Sequence, residues 1–130
     1  MIYIAVTRFN EKTFDEFQKF YRENKLHNCI YNVPVPIKQK FDKDSYFIVL
    51  EMNNSLNKIM GIGLIGNLVK YNKYSIYSDV NYNRYCYEGK NRIDHKMFSE
   101  KEQETINHLE NICFKGKRHL KRGQGIQVIS

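Results

Sequence analysis

The order of apolar and polar residues divides the chain into short strand-like and helix-like segments. IYIAV at residues 2–6 is a compact apolar run of strand-forming residues and predicts a buried first strand. SYFIVLEM at 45–52 is rich in β-branched and aromatic residues, and NNSLN after it supplies a turn. KIMGIGLIGNLV is then the returning strand of a predicted hairpin, and residues 73–79 and 83–93 supply further predicted strand.

A capping signal predicts a first helix after the opening strand. Thr13 and Glu16 fit a capping box, so we expect the helix to run from about residue 14 to residue 26. Apolar residues then recur on one helix face at Phe14, Phe17 and Tyr21. Pro34 and Pro36 remove two backbone donors, and this segment is expected at the surface or on a sheet edge.

A second capping box predicts a helix near the end of the sequence. Ser99 and Glu102 have the required spacing, and Ile106, Leu109 and Cys113 follow at helical positions. The helix is expected to end near residues 114–116. In the tail, the alternation of Ile126 and Val128 could add a last strand.

The stretch GIGLIG, residues 61–66, has the GxGxxG spacing of dinucleotide-binding loops. Such a loop must open a helix, because the helix N-terminus holds the pyrophosphate. The residues after Gly66 are rich in Tyr, Val, Ile and Asn and show no helical stripe. We therefore interpret the glycines as part of a curved strand, where they allow bending or the close approach of another group.

Composition suggests one domain with an anionic partner. The 130 residues are 42% hydrophobic and carry a net charge of +7, with a pI near 9.3. That length fits a single domain over 1–130, and the charge favours nucleic acid through counterion release. No apolar run is long enough to cross a membrane, and the N-terminus lacks the pattern of a secretion signal. We expect an intracellular protein.

Two segments combine features that suit nucleic-acid binding. Residues 81–96 interleave Tyr82, Tyr85 and Tyr87 with Arg84, Lys90 and Arg92. Aromatic rings stack on bases while cations hold phosphates, although a half-buried strand would give the same pattern. Residues 115–122 form a basic run beside several glycines, and this run is expected to contact phosphates or to be a solvated charge run or targeting signal. Its cations are Lys115, Lys117, Arg118, Lys121 and Arg122.

The sequence indicates no metal or cofactor. The four histidines and three cysteines lack the spacing of metal ligands, and the odd number of cysteines fits no disulfide framework. No nucleophile motif, phosphate-binding loop or paired-carboxylate motif is present. A Cys–His pair formed in space stays open at this point.

The order of these segments resembles the EVE, YTH and ASCH branches of the PUA-like superfamily. The resemblance lies in the initial IYIAV strand, the helix after it, YFIVLEM, KIMGIGLIGN and the later YNRYCYEG. It covers about residues 1–95. It implies an α+β fold, a PUA-like curved β-barrel with two flanking helices, that binds RNA or DNA. The abundance of Asn, Lys, Ile and Tyr is typical of an AT-rich genome, such as that of a large DNA virus.

The resemblance also implies a pocket between barrel and helix for a flipped or modified base. Its walls are expected from Tyr31, Asn32, Tyr82, Asn83, Arg84 and Tyr85. The chain departs from the EVE and YTH patterns in having no tryptophan, the residue that commonly builds a methyl-base cage. Binding of nucleic acid is therefore a firmer expectation than recognition of a methylated base.

Two other functions stay open. ASCH-like relatives include small amidohydrolases acting on modified nucleosides through a lysine, a threonine and a glutamate. By this analogy the groups would be Thr7, Lys58 or Lys90, and Glu51 or Glu88. The alternative from another class is a basic structural or interaction protein that has no functional pocket.

Overall fold

The computed structural model describes residues 1–129 and contains eight strands and two α-helices. The α-helices are α1 (Glu11–Glu23) and α2 (Glu100–Phe114). The strands are β1 (Ile2–Phe9), β2 (Cys29–Val33), β3 (Tyr46–Asn53), β4 (Lys58–Gly66), β5 (Lys70–Tyr71), β6 (Tyr85–Gly89), β7 (Asn91–Asp94) and β8 (Gln127–Val128). Short 3₁₀ turns precede β6 at Val80–Asn83 and α2 at His95–Met97.

The strands form two sheets. The five-stranded sheet has the order β7-β4-β3-β1-β8, in which only β1 and β3 are parallel, and the three-stranded antiparallel sheet has the order β2-β6-β5. The chain passes from the small sheet to the large one at the turn between β6 and β7. There β4 and β6 come so close that a Cβ on Gly89 would collide with the Leu64 carbonyl oxygen.

The large sheet has an apolar cluster on each face. Phe47 and Val49 of β3 pack against the small sheet and α1, whereas Leu50 and Met52 of the same strand pack against α2. A strand covered on both faces cannot alternate between apolar and polar residues, which is why β3 has a continuous apolar run.

The expected α+β class with two helices is confirmed, whereas the strands expected to form a curved β-barrel do not close into a barrel. Among the described residues the two sheets remain separate in their hydrogen bonding. The predicted strands at the start, at 45–52 and at the glycine segment are confirmed, as are the capping box at Ser99 and the short last strand. Residues 73–79, predicted as strand, are irregular instead, and β2 was not predicted.

The first helix begins three residues earlier than predicted. Asn10 is the N-cap, its side chain accepts a hydrogen bond from the Thr13 backbone N–H at 2.8 Å, and the Asn10 N–H donates to Thr13 Oγ1 at 3.0 Å. Thr13 is therefore the third helical residue and not the cap. The predicted apolar face is unaffected, because Phe14 and Phe17 are buried.

Candidate nucleic-acid interface

A cavity of about 180 Å³ lies where the carboxyl ends of β1, β2 and β3 meet the first turn of α1. The loop that leads into β8 forms the remaining wall, so the cavity combines segments from both ends of the chain. The wall residues important for its chemistry are Thr7, Asn32, Asn54, Tyr77, Tyr82 and Lys121.

Arg8 of β1 holds the loop of residues 121–125 against the cavity. Its guanidinium donates to the Leu120 carbonyl from Nε at 2.5 Å, to the Gly125 carbonyl at 3.4 Å, and to Oε1 of Gln127. Gly123 and Gly125 have φ values of +104° and +75°, a region that glycine enters without steric cost. The cations of the loop are thereby placed beside the cavity.

A buried amide network fixes the orientation of Asn32. Oδ1 of Asn83 accepts from the backbone N–H groups of Ile76 and Tyr77 at 3.1 and 3.0 Å, so this atom must be the oxygen. The Asn32 amide nitrogen therefore points toward Asn83, at 3.1 Å, and also donates to the Tyr74 carbonyl at 2.9 Å. Oδ1 of Asn32 is left buried, without a hydrogen-bond partner in the described part of the chain, in a residue only 5% exposed.

Asn54, on another part of the wall, also has a buried side-chain oxygen without a hydrogen-bond partner among the described residues. Its amide nitrogen donates to the Lys121 carbonyl at 3.0 Å, which fixes the amide orientation because a carbonyl only accepts. An unsatisfied buried polar atom costs about 1–3 kcal/mol. Both of these acceptors belong to residues that line the cavity.

The cavity wall has few titratable side chains. Among the described residues they are Arg8, Tyr77, Tyr82 and Lys121, and no Asp, Glu, His or Cys lines it. Burial, reinforced by the negative charge of Glu51, raises the pKa of Tyr77 well above its ordinary value, so this phenol stays protonated.

The structure brings together only some of the predicted pocket residues. Asn32 and Tyr82 line the cavity, as does Lys121 from the predicted phosphate-binding run. Asn83 lies behind the wall and orients Asn32. Tyr31, by contrast, is fully buried between the sheets and does not line the cavity.

The interior holds an ion pair that accounts for Tyr31 and Arg92. The Tyr31 hydroxyl donates to Oε2 of Glu51 at 2.5 Å, and the Arg92 guanidinium donates to both oxygens of this carboxylate at 2.6 and 2.8 Å. The Arg92 side chain is 10% exposed and stacks over the rings of Phe17 and Tyr21. Its position assigns Arg92 to the interior instead of to a phosphate-binding surface.

The glycines of GIGLIG make room for this cluster. β4 is a strand throughout, and the next element after Gly66 is the strand β5 and not a helix. This context excludes a dinucleotide-binding loop. A Cβ on Gly61 would lie 2.5 Å from Oε1 of Glu51, and one on Gly63 would collide with Cys29 and Tyr31. Close approach of buried side chains therefore requires the two glycines.

The remaining predicted binding residues are outside the cavity. Arg84 is exposed and Tyr85 half-buried on β6 or just before it. Lys90 is exposed in the turn after β6, and this turn lies at the opposite end of β2 from the cavity, because Gly89 pairs with Cys29. The other cations of the basic run are all exposed: Lys115, Lys117, Arg118 and Arg122.

The residues of the amidohydrolase hypothesis are not brought together in the cavity. Thr7 lines it, whereas Glu51 is engaged by Arg92 and Tyr31 in the interior. Glu88 forms salt bridges with Lys70 and Lys73 on the small sheet. Lys58 and Lys90 are exposed at strand ends away from the cavity wall.

Within residues 1–129, no group of His, Cys, Asp and Glu side chains could hold a metal ion. Neither of the α-helices in this range is long and apolar enough to cross a membrane. Comparison with models of protein families, with curated proteins and with solved structures found no match for this chain.

Sequence reasoning missed several wall residues. Asn54 lies in the predicted turn after residues 45–52, and Arg8 follows the predicted first strand, so neither carries a signal of a site. Gly123, Gln124 and Gly125 simply follow the basic run in sequence. Pairing of residues more than 100 positions apart, such as Arg8 with Leu120, leaves no signal in local sequence patterns.

Proposed function

We propose that this chain is a nucleic-acid-binding domain that holds one unpaired base, unmodified or modified, in the cavity. The observation that carries the proposal is a pair of buried oxygens, Oδ1 of Asn32 and Oδ1 of Asn54. Neither has a hydrogen-bond partner within residues 1–129, and both belong to residues that line the cavity. An N–H group on a base edge would satisfy such acceptors. A small shift of either side chain would present its oxygen to the ligand.

The size and lining of the cavity suit an aromatic ring. A protein cavity of roughly 150 Å³ accommodates benzene, and this one measures about 180 Å³. Tyr82 is half-buried in the wall and supplies an aromatic surface. Stacking of a base on an aromatic side chain contributes about 1–3 kcal/mol.

The charge beside the cavity suits a phosphate backbone. The basic run of residues 115–122 contains no acidic residue, and its Lys121 lines the cavity. We assign phosphate contact to the exposed cations of this run, with Lys90 as a more distant contact. Such contacts position a strand without reading its sequence.

The proposal includes a PUA-like fold in which the two sheets are an opened form of the curved barrel. The close approach of β4 and β6, and the passage of the chain from one sheet to the other at Lys90, support this relationship. We also propose an intracellular location. Its support is that Cys29, Cys86 and Cys113 are all buried as free thiols.

Hydrolysis of modified nucleosides is the weaker alternative. Thr7 is the only residue of the amidohydrolase hypothesis in the cavity wall, and it has no carboxylate or amine of that set beside it there. Incubation of the protein with a panel of acylated nucleosides should return them unchanged. Turnover without added metal would favour the enzyme instead.

Fluorescence anisotropy with labelled oligonucleotides tests the proposal. Single-stranded and duplex RNA and DNA are titrated across a salt series, with strands of uracil that carry one central C, A, G or inosine. We expect affinity to fall linearly with log salt, and single strands whose central base differs to bind differently at high salt.

Matched variants connect this binding to the cavity. Asn54→Ala removes one unpartnered oxygen and should reduce discrimination between central bases, whereas Asn107→Ala on the exposed face of α2 should retain it. Absence of binding at low salt would overturn the proposal and favour a structural or protein-binding role. If Asn54→Ala and Asn107→Ala each bind all central bases with equal affinity, the cavity does not read the base.

A further inference from the structure

Two tyrosines form an exposed aromatic pair on the small sheet. The ring centroids of Tyr71 and Tyr85 are 5.7 Å apart at an interplanar angle of 66°, and Tyr71 is 67% exposed. The Arg84 guanidinium lies 5.4 Å from the centroid of the Tyr85 ring. An exposed tyrosine supported by a second ring and a cation is a surface on which a base can stack.

The register of the small sheet places this pair next to the cavity. Val33, which lines the cavity, pairs with Tyr85, and Tyr85 pairs with Tyr71. Neighbouring strands are about 4.8 Å apart, so the backbone of Tyr71 lies about 10 Å from that of Val33, a distance of about three stacked nucleotides. A strand with one base in the cavity has its neighbouring nucleotides within reach of the tyrosines.

The small sheet carries a net positive charge. Strand alternation places Lys70 and Glu88 on the face opposite the tyrosines, where Lys70 and Lys73 share the single carboxylate of Glu88 at 3.2 and 2.8 Å. Beside the Tyr85 ring, Arg84 adds a positive charge and forms no salt bridge within residues 1–129. This positive charge suits a polyanionic partner better than an uncharged, apolar one.

We propose that Tyr71 and Tyr85, with Arg84, are a stacking platform for a nucleotide that flanks the base held in the cavity. The inference rests on the proposed function and extends it from one base to a short single strand. It implies preference for single strands, because the bases of a duplex are already stacked on one another. It also gives Tyr85 and Arg84 a role outside the cavity in which they were expected.

Anisotropy of fluorescein-labelled single-stranded 12-mers and of the matching duplex tests the platform. Tyr71→Ala should weaken single-strand binding about ten-fold, since stacking on one aromatic ring contributes about that much. Tyr71→Phe keeps the ring and should bind like the wild type. Tyr46→Ala is the matched control, because Tyr46 is 53% exposed on β3 of the other sheet.

The salt series separates stacking from charge. Tyr71→Ala should leave the slope of log affinity against log salt unchanged. Arg84→Ala should make this negative slope shallower by about 0.7. Wild-type affinity in Tyr71→Ala, together with loss of base discrimination in Asn54→Ala, would overturn the platform and leave the proposed function intact. Absence of single-strand binding by the wild type would overturn both.

Discussion

Glu51 and Arg92 form a two-pronged ion pair inside the domain, with Nη2 to Oε1 at 2.6 Å and Nε to Oε2 at 2.8 Å. The Glu51 side chain is fully buried, and the Tyr31 hydroxyl donates a third hydrogen bond to it. Burial disfavours the charged guanidinium, but the hydrogen bonds and charge of Glu51 outweigh it and raise the pKa of Arg92. The Arg92 guanidinium therefore stays protonated in the interior.

Removing one partner of this pair should destabilise the fold. Glu51→Gln removes the buried carboxylate and leaves Arg92 with the single contact to the partly exposed Asp94 at 3.2 Å, so the free energy of unfolding should fall by about 3–5 kcal/mol. Urea unfolding followed by circular dichroism measures the change. Glu88→Gln is the control, since its pairs with Lys70 and Lys73 are exposed and should contribute less than about 1 kcal/mol. A loss below 1 kcal/mol in Glu51→Gln would contradict the interpretation.

The glycines of β4 should respond unequally to substitution. Gly63→Ala places a methyl group against Cys29 and Tyr31 and should destabilise the fold by about 1–3 kcal/mol, as overpacked cores do. Gly66→Ala meets no atom within 4 Å and should be neutral or stabilise by about 0.4–1 kcal/mol. Thermal unfolding of the two variants compares them directly. Equal stability would rule out close approach as the reason for Gly63.

Stability should decline in alkali because buried thiols resist ionisation. Burial raises the pKa of Cys29 and Cys86 to about 12 and that of Cys113 to about 11, from 9.0. The unfolded state therefore loses protons first, and the contribution is present below about pH 9 and lost as pH rises toward 11–12. Each group removes up to about 1.4 kcal/mol per pH unit in this range.

Melting temperatures between pH 7.5 and 10.5 check this expectation. Cys113→Ala should flatten the decline without removing it, because Cys29, Cys86 and buried tyrosines such as Tyr31 act in the same direction. At pH 8 the thiols of the folded protein should react slowly with a disulfide reagent and quickly in urea. Rapid reaction in the folded state would show that the thiols are accessible.

A cation of the basic run should contribute affinity without specificity. Lys117→Ala should weaken binding to every oligonucleotide by a similar factor and lower the salt slope by about 0.7–0.9, as loss of one phosphate contact does. Lys101→Ala, an exposed lysine at the start of α2, is the control and should change neither quantity. A change confined to one sequence would assign Lys117 to base recognition instead.

Features that depend only on residues adjacent in the sequence could be predicted from it. The capping box of Ser99 and Glu102 is local, and so are the apolar runs of β1, β3 and β4. The start of α1 was misplaced because Thr13 suits the cap as well as the third helical position, and only the Asn10 side chain distinguishes the two. β2 was missed because all five residues are buried, including the polar Asn32, so no alternation marks it.

Local sequence patterns located both helices and the strands β1, β3 and β4, together with the positive charge and the three glycines within a strand, but they did not locate β2. The roles of these features depend on contacts that form only in the folded chain. Arg92 belongs to the interior because Glu51, 41 residues away, meets it there, and the cavity exists because Arg8 holds a loop more than 100 residues distant. Local patterns follow from backbone and side-chain preferences of adjacent residues, whereas ion pairs and cavities form between segments that only the folded chain brings together.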